Sequence, residues 1–326
     1  MKAIIPVAGQ GTRLRPHTHT VPKAMLHVAG KTIIEYILDE VEAVNPDEYV
    51  FIIGYLGDKL RRFLEKRIAK PVYFVVQHDT LGIAHALYQA KEHLAGGPLL
   101  IVLGDTIFQA DLAAVAARGV SAIGVRTVED PRRFGVVVLE GDRIVRLVEK
   151  PQQLVSNLAI AGVYYVTDPV LLRDSINRLV VEDIKTRGEY QLTDALQLMV
   201  ETGHVMETFP IEGWFDCGEP AALLETNRAL LARVETVPRR PGSIIIPPVW
   251  IDESAAVQNA IIGPHCSIAC GAIIKNAIIR DSIVGEYASV ENLILRSSIV
   301  GDRAMVQGRV AALNVGDSSQ LDLASS

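Results

Sequence analysis

Glycines and basic residues alternate in one segment near the start of the chain, directly after a short apolar run. Gly9 and Gly11 precede Arg13, and Lys23 lies at the far end of the segment. Glycine lets backbone N–H groups approach an anion because no Cβ intervenes. Arginine offers a planar fork of donors and lysine a compact charge, and both suit phosphate groups. The segment therefore predicts a phosphate-binding loop, although a surface loop with scattered cations would contain the same residues.

Two widespread phosphate-binding motifs do not fit this segment. A dinucleotide-binding fingerprint requires a third glycine where the chain has Leu14. A Walker-type loop requires a glycine at the position of Met25, upstream of Gly30 in "AGKT". The loop is therefore of another kind.

The first two-thirds of the chain alternates short apolar strands with helix-like segments, and the pattern becomes richer in strands after Gly124. Predicted strands occupy residues 3–8, 49–53, 72–76 and 99–103, and predicted helices occupy residues 32–44, 58–68 and 83–94. This alternation is typical of an α/β domain with a Rossmann-like, mostly parallel sheet flanked by helices. Ligands bind such sheets outside the carboxyl ends of the strands. Loops 9–22, 77–82 and 104–106 follow those ends, so we expect them to meet on one rim.

An aspartate lies on that predicted rim. Asp105 ends the segment "IVLGD", directly after the fourth predicted strand. A carboxylate at this position can cap the following segment, or it can contribute to a ligand site. The residues alone leave both interpretations open.

The C-terminal part of the chain has a different pattern. "VPRRPG" (237–242) is typical of a linker, and beyond it aliphatic residues recur every five or six positions. "SIVGEYASV" (282–290) and "SIVGDRAMV" (298–306) are near copies offset by sixteen residues. This period is that of a triangular parallel β-helix with hexapeptide-like repeats, in which each side contributes one inward aliphatic residue. We expect about four coils and a polar tail at the end of the chain.

The glycine-rich segment is similar to the opening motif of the sugar-1-phosphate nucleotidyltransferases, G-x-G-T-R-L-x-P-x-T followed by P-K. The chain reads "GQGTRLRPHT" (9–18) and then "PK" (22–23). The resemblance continues in the family's order over nearly all of residues 1–230, through "QHDTLGIAHAL" (77–87), "LGD" (103–105), "DPRRFGVV" (130–137), "VEKP" (148–151), "RGEYQLTD" (187–194) and "WFDCG" (214–218). The chain most resembles the long-type glucose-1-phosphate thymidylyltransferases, which carry a C-terminal left-handed β-helix.

The resemblance implies a domain plan and a reaction. Residues 1–236 would form the catalytic domain, 237–242 the linker and 243–326 a short left-handed β-helix with a polar tail. The reaction would transfer a nucleotidyl group from dTTP to a hexose-1-phosphate, with glucose as the expected sugar, and would release pyrophosphate. The expected partners are therefore a nucleoside triphosphate and a hexose-1-phosphate.

The resemblance also implies roles for individual residues. The expected nucleotide-binding residues are Ala8, Gly9, Gly11, Thr12, Arg13, Lys23, Gln77 and Gly82. The expected sugar-phosphate-binding residues are Gly135, Glu149, Lys150, Asn157 and Gly162. Asp105 and Asp216 would hold Mg²⁺, and these two with Arg13, Lys23 and Lys150 form the expected catalytic set. Glu189 and Asp194 either orient sugar hydroxyls or cap a helix.

The nucleobase depends on Gln77. A glutamine side chain presents one donor and one acceptor, which complements the imide edge of thymine or uracil. Relatives that use GTP tend to carry glutamate at this position, so guanine is disfavoured. One methyl group separates the two pyrimidines and contributes only about 1–3 kcal/mol to discrimination. UTP, giving UDP-glucose or UDP-N-acetylglucosamine, therefore remains the alternative to dTTP.

Composition excludes several other classes of protein. The net charge is −6 and no basic tract is present, which disfavours nucleic-acid binding. Apolar runs such as "PLLIVLG" are far shorter than the roughly 20 residues of a membrane span. The N-terminus lacks the pattern of a secretory signal, so we expect a cytoplasmic protein. Three cysteines do not suggest a disulfide framework.

Two further functions stay open at this stage. Degenerate relatives serve as non-catalytic regulatory subunits, but these lose the cations or aspartates that this chain retains. Bifunctional relatives also transfer an acetyl group through a β-helix with more coils and a histidine between coils, whereas this tail is short and offers only His265. We expect the tail to pack against the catalytic domain or to form the interface of a homo-oligomer.

Overall fold

The structure is a computed structural model that describes residues 1–234 and 238–308. Its contacts divide the chain into two compact units, residues 1–226 and 227–326. The division falls inside a helix, ahead of the predicted linker at 237–242, and the predicted domain limits stay a prediction. Residue 237 and the predicted polar tail lie outside the described residues.

The N-terminal unit begins with alternating strands and helices. Its first elements are β1 (Lys2–Pro6), β2 (His27–Val28), β3 (Lys31–Thr32), α1 (Ile33–Glu42), β4 (Glu48–Ile53), α2 (Gly57–Arg67), β5 (Val72–Val76), α3 (Ile83–Gln89), β6 (Leu99–Val102), β7 (Thr106–Gln109) and α4 (Leu112–Ala117). The strands and helices predicted here are confirmed, except that α3 ends early and continues as a 3-10 turn, Lys91–His93.

The second half of this unit is richer in strands, as the pattern after Gly124 predicts. It contains β8 (Ser121–Thr127), β9 (Gly135–Glu140), β10 (Arg143–Glu149), β11 (Leu158–Val166), α5 (Pro169–Val181), α6 (Leu192–Glu201), β12 (Met206–Pro210), β13 (Gly213–Asp216) and α7 (Pro220–Leu231), which crosses the division between the units.

The main sheet has nine strands in the order β5-β4-β1-β6-β11-β8-β12-β10-β9. Strands β5, β4, β1 and β6 are parallel, as predicted, but β11 runs antiparallel to both β6 and β8, and β10 runs antiparallel to β9 and β12. The prediction of a mostly parallel sheet is therefore wrong for the sheet as a whole, which is mixed. A short turn at Gly141, whose φ is +61°, joins β9 to β10 and forces the antiparallel pairing of these two strands, whereas β11 pairs antiparallel with strands that are distant in sequence.

Local signals account for the helix that follows the glycine-rich segment. Thr32 caps α1 through a reciprocal pair of bonds, since its hydroxyl accepts the Glu35 backbone N–H and the Glu35 carboxylate accepts the Thr32 backbone N–H. The helix buries Ile33, Ile37 and Val41 on one face, following the helical period. This packing anchors the chain immediately downstream of the loop that carries Lys23.

The repeats after residue 243 form a parallel β-helix with three faces. Its strands are β14 (Ile244–Ile245), β15 (Val249–Ile251), β16 (Ala256–Gln258), β17 (Ile261–Ile262), β18 (Cys266–Ile268), β19 (Ile273–Lys275), β20 (Ile278–Arg280), β21 (Ile283–Val284), β22 (Ser289–Glu291), β23 (Ile294–Arg296), β24 (Ile299–Val300) and β25 (Met305–Gln307). They build three four-stranded parallel sheets, which gives the four coils that the period predicts.

Inward aliphatic side chains stack from coil to coil in this β-helix. Ile262, Ile268, Ile274, Ile279 and Val290 are fully buried. Cys266 lies in the same core, and burial raises the pKa of its thiol to about 11, as expected of a packing thiol. Within the described ranges, no helix combines the length and apolar character that a membrane crossing requires.

We predict that aspartate substitution destabilises the protein at an inward-facing isoleucine but not at an outward-facing isoleucine of the same sheet. Ile279 on β20 is fully buried, whereas Ile294 on the neighbouring β23 is 73% exposed. Ile279→Asp should lower the free energy of unfolding by about 3 kcal/mol or more, because it buries an unpaired carboxylate. Ile294→Asp should change it by about 0.5 kcal/mol or less. Urea denaturation measures both, and equal destabilisation would contradict the inward and outward assignment.

Candidate active site

The loop after β1 folds back on itself around Gly11. Gly11 has a φ of +61°, and its carbonyl accepts bonds from the Thr18 hydroxyl at 2.7 Å and from the Leu14 backbone N–H at 2.9 Å. A Cβ at Gly11 would lie 3.0 Å from Thr18 Cγ2 and 3.2 Å from Lys23 Cβ. Glycine is thus needed for backbone conformation and for space, and the loop brings its two predicted cations, Arg13 and Lys23, to the same cavity.

The Lys23 side chain contacts Asp105, which lies three residues after the end of strand β6. Its ammonium group lies 2.9 Å from Asp105 Oδ2. The Lys23 side chain is 11% exposed and the Asp105 side chain is 50% exposed, so the pair lies at the mouth of a cavity with the carboxylate facing outward. This ion pair ties the glycine-rich loop to the rim of the sheet.

Asp216 reaches the same rim through a separate pair of strands. Strands β7 and β13 pair antiparallel with Asp216 opposite Thr106, and the Cys217 backbone N–H donates to the Asp105 carbonyl at 3.3 Å. Arg13 approaches this corner, because a Cβ placed on Gly218 would lie 2.8 Å from Asp216 Oδ1 and 2.9 Å from Arg13 Nη2. The Asp216 carboxylate and the Arg13 guanidinium group therefore converge beside a glycine that leaves them room, and Asp105 lines the second cavity together with both.

This donor set suits a magnesium ion. Carboxylate oxygens are hard ligands, and Mg²⁺ commonly takes one or two of them while its other ligands are phosphate oxygens and water. In the described part of the chain, no cluster of three or more histidine, cysteine, aspartate or glutamate side chains could hold a metal. Asp105 and Asp216 are the residues that could hold such an ion together with a phosphate ligand.

Cys217 beside Asp216 has a packing role. It is fully buried and contacts Thr226, and burial raises the pKa of its thiol to about 12. The thiol therefore stays protonated at neutral pH and is no nucleophile.

The first of two adjoining cavities has a volume of about 490 Å³. Every residue predicted to bind the nucleotide lines it, namely Ala8, Gly9, Gly11, Thr12, Arg13, Lys23, Gln77 and Gly82. The structure adds a packing reason for one of these glycines, because a Cβ at Gly82 would lie 2.4 Å from the Tyr190 carbonyl oxygen.

The second cavity, of about 540 Å³, contains all but one of the residues predicted to bind the sugar phosphate. Gly135, Glu149, Lys150 and Gly162 line it, together with Asp216 and Trp214. Asn157 does not: its side chain is exposed on the approach to β11, and its carbonyl accepts the Val128 backbone N–H. The structure thus leaves this residue outside both cavities.

Glu149 and Lys150 point to the same side despite being neighbours in sequence. On a regular strand, adjacent side chains face opposite sides, but β10 ends at Glu149 and Lys150 has a φ of +43°. The Lys150 ammonium group consequently lies 3.5 Å from Glu149 Oε1. The Thr193 hydroxyl donates to Glu149 Oε2 at 2.7 Å and holds the carboxylate beneath Gly135. A Cβ at Gly135 would lie 2.9 Å from Glu149 Oε2 and 2.9 Å from Thr193 Oγ1.

Sequence reasoning missed Arg187 as a site residue. It lines the second cavity, and its guanidinium group donates to the Lys150 carbonyl at 2.7 Å. The sequence did offer a signal for it, because Arg187 is the first residue of the family-like segment "RGEYQLTD" (187–194). Arg132 and Arg133 also line this cavity, and Arg132 is paired with Asp130.

Glu189 and Asp194 were each expected either to orient sugar hydroxyls or to cap a helix. Glu189 lines the cavities, and Asp194 does not. Glu189 lines both cavities, as do Arg13 and Asp105, and it accepts a bond from the Gln191 amide at 3.0 Å. Asp194 lies in the first turn of α6, outside the lining of both cavities. Burial raises the pKa of its carboxyl group, and its Oδ2 has no partner among the described residues.

Comparison with known proteins shows the family of the chain. The model of the nucleotidyl transferase family matches residues 2–233. The chain belongs to that family. It is 32% identical over 305 residues to a glucose-1-phosphate thymidylyltransferase of Streptomyces antibioticus, covering 89% of this chain and 82% of the relative. It is 30% identical over 240 residues to a UTP–glucose-1-phosphate uridylyltransferase, AglF, of Haloferax volcanii, covering 71% of this chain and 96% of the relative.

Other comparisons cover about seven tenths of this family member. It spans 66% of the low-salt glycan biosynthesis nucleotidyltransferase Agl11 of Haloferax volcanii, with which it shares 32% identity over 71% of its own length. It spans only 55% of a bifunctional protein GlmU of Methanococcus maripaludis. A solved UDP-glucose pyrophosphorylase in complex with UDP-glucose has the same fold, with a TM-score of 0.60 at 24% identity over 71% of this chain and 98% of that one.

We predict that the two loop glycines respond differently to alanine. A Cβ at Gly9 meets nothing within 4 Å, whereas Gly11 combines a positive φ with close contacts to Thr18 and Lys23. Gly11→Ala should lower the free energy of unfolding by about 1–3 kcal/mol, and Gly9→Ala should change it by about 0.5 kcal/mol or less. Thermal denaturation measures both variants. Equal melting temperatures would show that the loop does not require the left-handed backbone at Gly11.

Proposed function

We propose that this protein transfers a nucleotidyl group from dTTP to a hexose-1-phosphate, with glucose-1-phosphate as the expected acceptor, to give a dTDP-sugar and pyrophosphate. One observation carries the proposal: the cavity with the predicted nucleotide residues and the cavity with the predicted sugar-phosphate residues share Arg13, Asp105 and Glu189. Two substrates bound in these cavities would meet at the shared residues.

The reaction needs no general base. The second pKa of a phosphate monoester is about 6, so the sugar phosphate is already an anionic nucleophile at neutral pH. Its oxygen forms a bond to the α-phosphorus of the triphosphate while the bond from that phosphorus to the bridging oxygen breaks, and pyrophosphate leaves. The protein must hold two polyanions in line and offset their mutual repulsion.

The cations at the site are arranged for this task. Arg13 lies where the cavities meet, suited to the α-phosphate and to the charge that develops there. Lys23 lines only the first cavity and would hold the triphosphate, exchanging part of its contact with Asp105 for phosphate oxygens. Lys150 and Arg187 line only the second cavity and would hold the attacking phosphate. Glu149, held by Thr193, would accept bonds from sugar hydroxyls.

Asp105 and Asp216 would hold Mg²⁺. When bound, the ion neutralises charge on the α-phosphate and on the leaving pyrophosphate. The chain contributes the two carboxylates on neighbouring strand ends, and the convergence of Asp216 and Arg13 on Gly218 supports a joint role at this corner.

The choice of nucleotide rests on Gln77, which lines the first cavity and is almost fully buried. UTP is the second candidate, because the relatives include both a thymidylyltransferase and a uridylyltransferase. The similarity to the thymidylyltransferase extends over 89% of the chain, and this favours dTTP.

The β-helix would have a structural function. We propose that it coils left-handed, as the resemblance implies, and that it supports a homo-oligomer. All the cations and aspartates expected for catalysis are present, which argues against a non-catalytic regulatory homologue.

A substrate panel tests the proposal. Purified protein with Mg²⁺ is offered dTTP, UTP, GTP or CTP together with the 1-phosphate of glucose, N-acetylglucosamine or mannose, and pyrophosphate release is followed. We expect the highest kcat/KM for dTTP with glucose-1-phosphate, and UTP as the next best nucleotide. Turnover confined to GTP, or none with any pair, would refute the proposal.

We predict that alanine substitutions of Lys150 and Lys23 raise the KM for different substrates. Lys150→Ala should raise the KM for the sugar phosphate about tenfold or more and leave the KM for the triphosphate within about twofold, because the loss of a charge-assisted bond costs about 1.5–3 kcal/mol. Lys23→Ala should do the reverse. Lys66→Ala, at the exposed end of α2, serves as the control. If both variants impaired both substrates equally, the division of the site into two cavities would have no functional meaning.

A further inference from the structure

The amide of Gln77 is held in one orientation by the protein. Its nitrogen Nε2 lies 3.4 Å from the Gly82 carbonyl oxygen and 3.1 Å from His85 Nδ1. A carbonyl oxygen can only accept a hydrogen bond, so the amide nitrogen, and not the oxygen, faces this side. Among residues 1–234 and 238–308, no donor contacts Gln77 Oε1. Because Gln77 lines the first cavity, this oxygen is the group left for a ligand.

His85 is itself held in place. It lies in the first turn of α3, its second ring nitrogen lies 3.1 Å from the Gln89 amide, and its ring stacks on Tyr190 with centroids 6.2 Å apart. Tyr190 is buried and its hydroxyl donates to Asp183. The ring of His85 therefore presents Nδ1 to Gln77 from a supported position. Nδ1 accepts from the Gln77 amide when the ring proton is on Nε2, and the Gln89 amide then turns its oxygen toward Nε2.

We propose that His85 is a positioning residue for nucleobase selection: it fixes the Gln77 amide so that Oε1 faces the base. An acceptor at this position matches the N3–H donor of uracil and thymine. The same acceptor would face the lone pair on N3 of cytosine, and that contact is repulsive. This inference rests on the proposed function for the identity of the ligand, and it adds a residue that makes no direct contact with the base.

The proposal predicts the effect of losing the acceptor. Without Nδ1, the Gln77 amide can turn by 180° and present its nitrogen to the base, which suits cytosine as well as uracil. Discrimination between UTP and CTP should therefore fall, by about tenfold. Binding of the sugar phosphate should not change, because His85 and Gln77 do not line the second cavity.

The test compares three variants with the full-length parent. His85→Phe keeps an aromatic ring next to Tyr190 and removes the acceptor. His85→Asn places an amide oxygen near the position of Nδ1 and should rescue selectivity. Glu92→Ala, in the exposed turn after α3, is the control. If His85→Phe does not fold, His85→Leu, which has no polar group, provides the same test.

Two readouts separate this inference from the proposed function. The first is kcat/KM for UTP and CTP with glucose-1-phosphate, and the second is the Kd of each triphosphate by calorimetry without sugar phosphate. We expect the UTP-to-CTP preference to fall about tenfold in His85→Phe and to return in His85→Asn, with the KM for glucose-1-phosphate unchanged. An unchanged preference in His85→Phe, or equal affinity of the parent for UTP and CTP, overturns the inference. Selective binding that depends on His85 but leads to no turnover would uphold it and refute the proposed function.

Discussion

The ion pair between Lys23 and Asp105 is the contact on which the rest of the site depends. It joins the end of the glycine-rich loop to the end of β6 at 2.9 Å, and thereby sets the position of a loop that has little regular structure of its own. Three 3-10 turns and the bond from Thr18 to Gly11 shape the loop internally. The lysine connects its far end to the rim where Asp105 lies.

Charge is distributed along the site in a way that suits two anionic ligands. The chain as a whole carries a net charge of −6, so its overall field does not attract polyphosphates. Local cations must attract these ligands instead. They are Lys23 in the first cavity, Arg13 at the junction, and Lys150 and Arg187 in the second cavity. Asp105 lines both cavities and Asp216 lines the second, so acidic side chains lie among these cations.

Much of this arrangement could be predicted from the sequence. The strands β1, β4, β5 and β6, the β-helix and the cavity residues follow from apolar periods and ordered motifs. Other features depend on contacts between distant segments or on single backbone angles. The pairing of β13 with β7 brings Asp216 to Asp105 without any local sign, and the positive φ of Lys150 reverses the expectation that Glu149 and Lys150 face apart. The antiparallel strands and the exposed position of Asn157 were likewise set by tertiary pairing, which a motif match does not report.

The central claim is that Asp105 and Asp216 act together at the junction of the two cavities. The most direct measurement is the Mg²⁺ dependence of nucleotidyl transfer in Asp105→Asn and Asp216→Asn, with circular dichroism to verify folding. Each substitution removes a carboxylate charge with almost no change in shape. The account predicts that each variant stays folded and loses about a thousandfold in kcat/KM, even at saturating Mg²⁺. Near-normal turnover by either folded variant would contradict the claim.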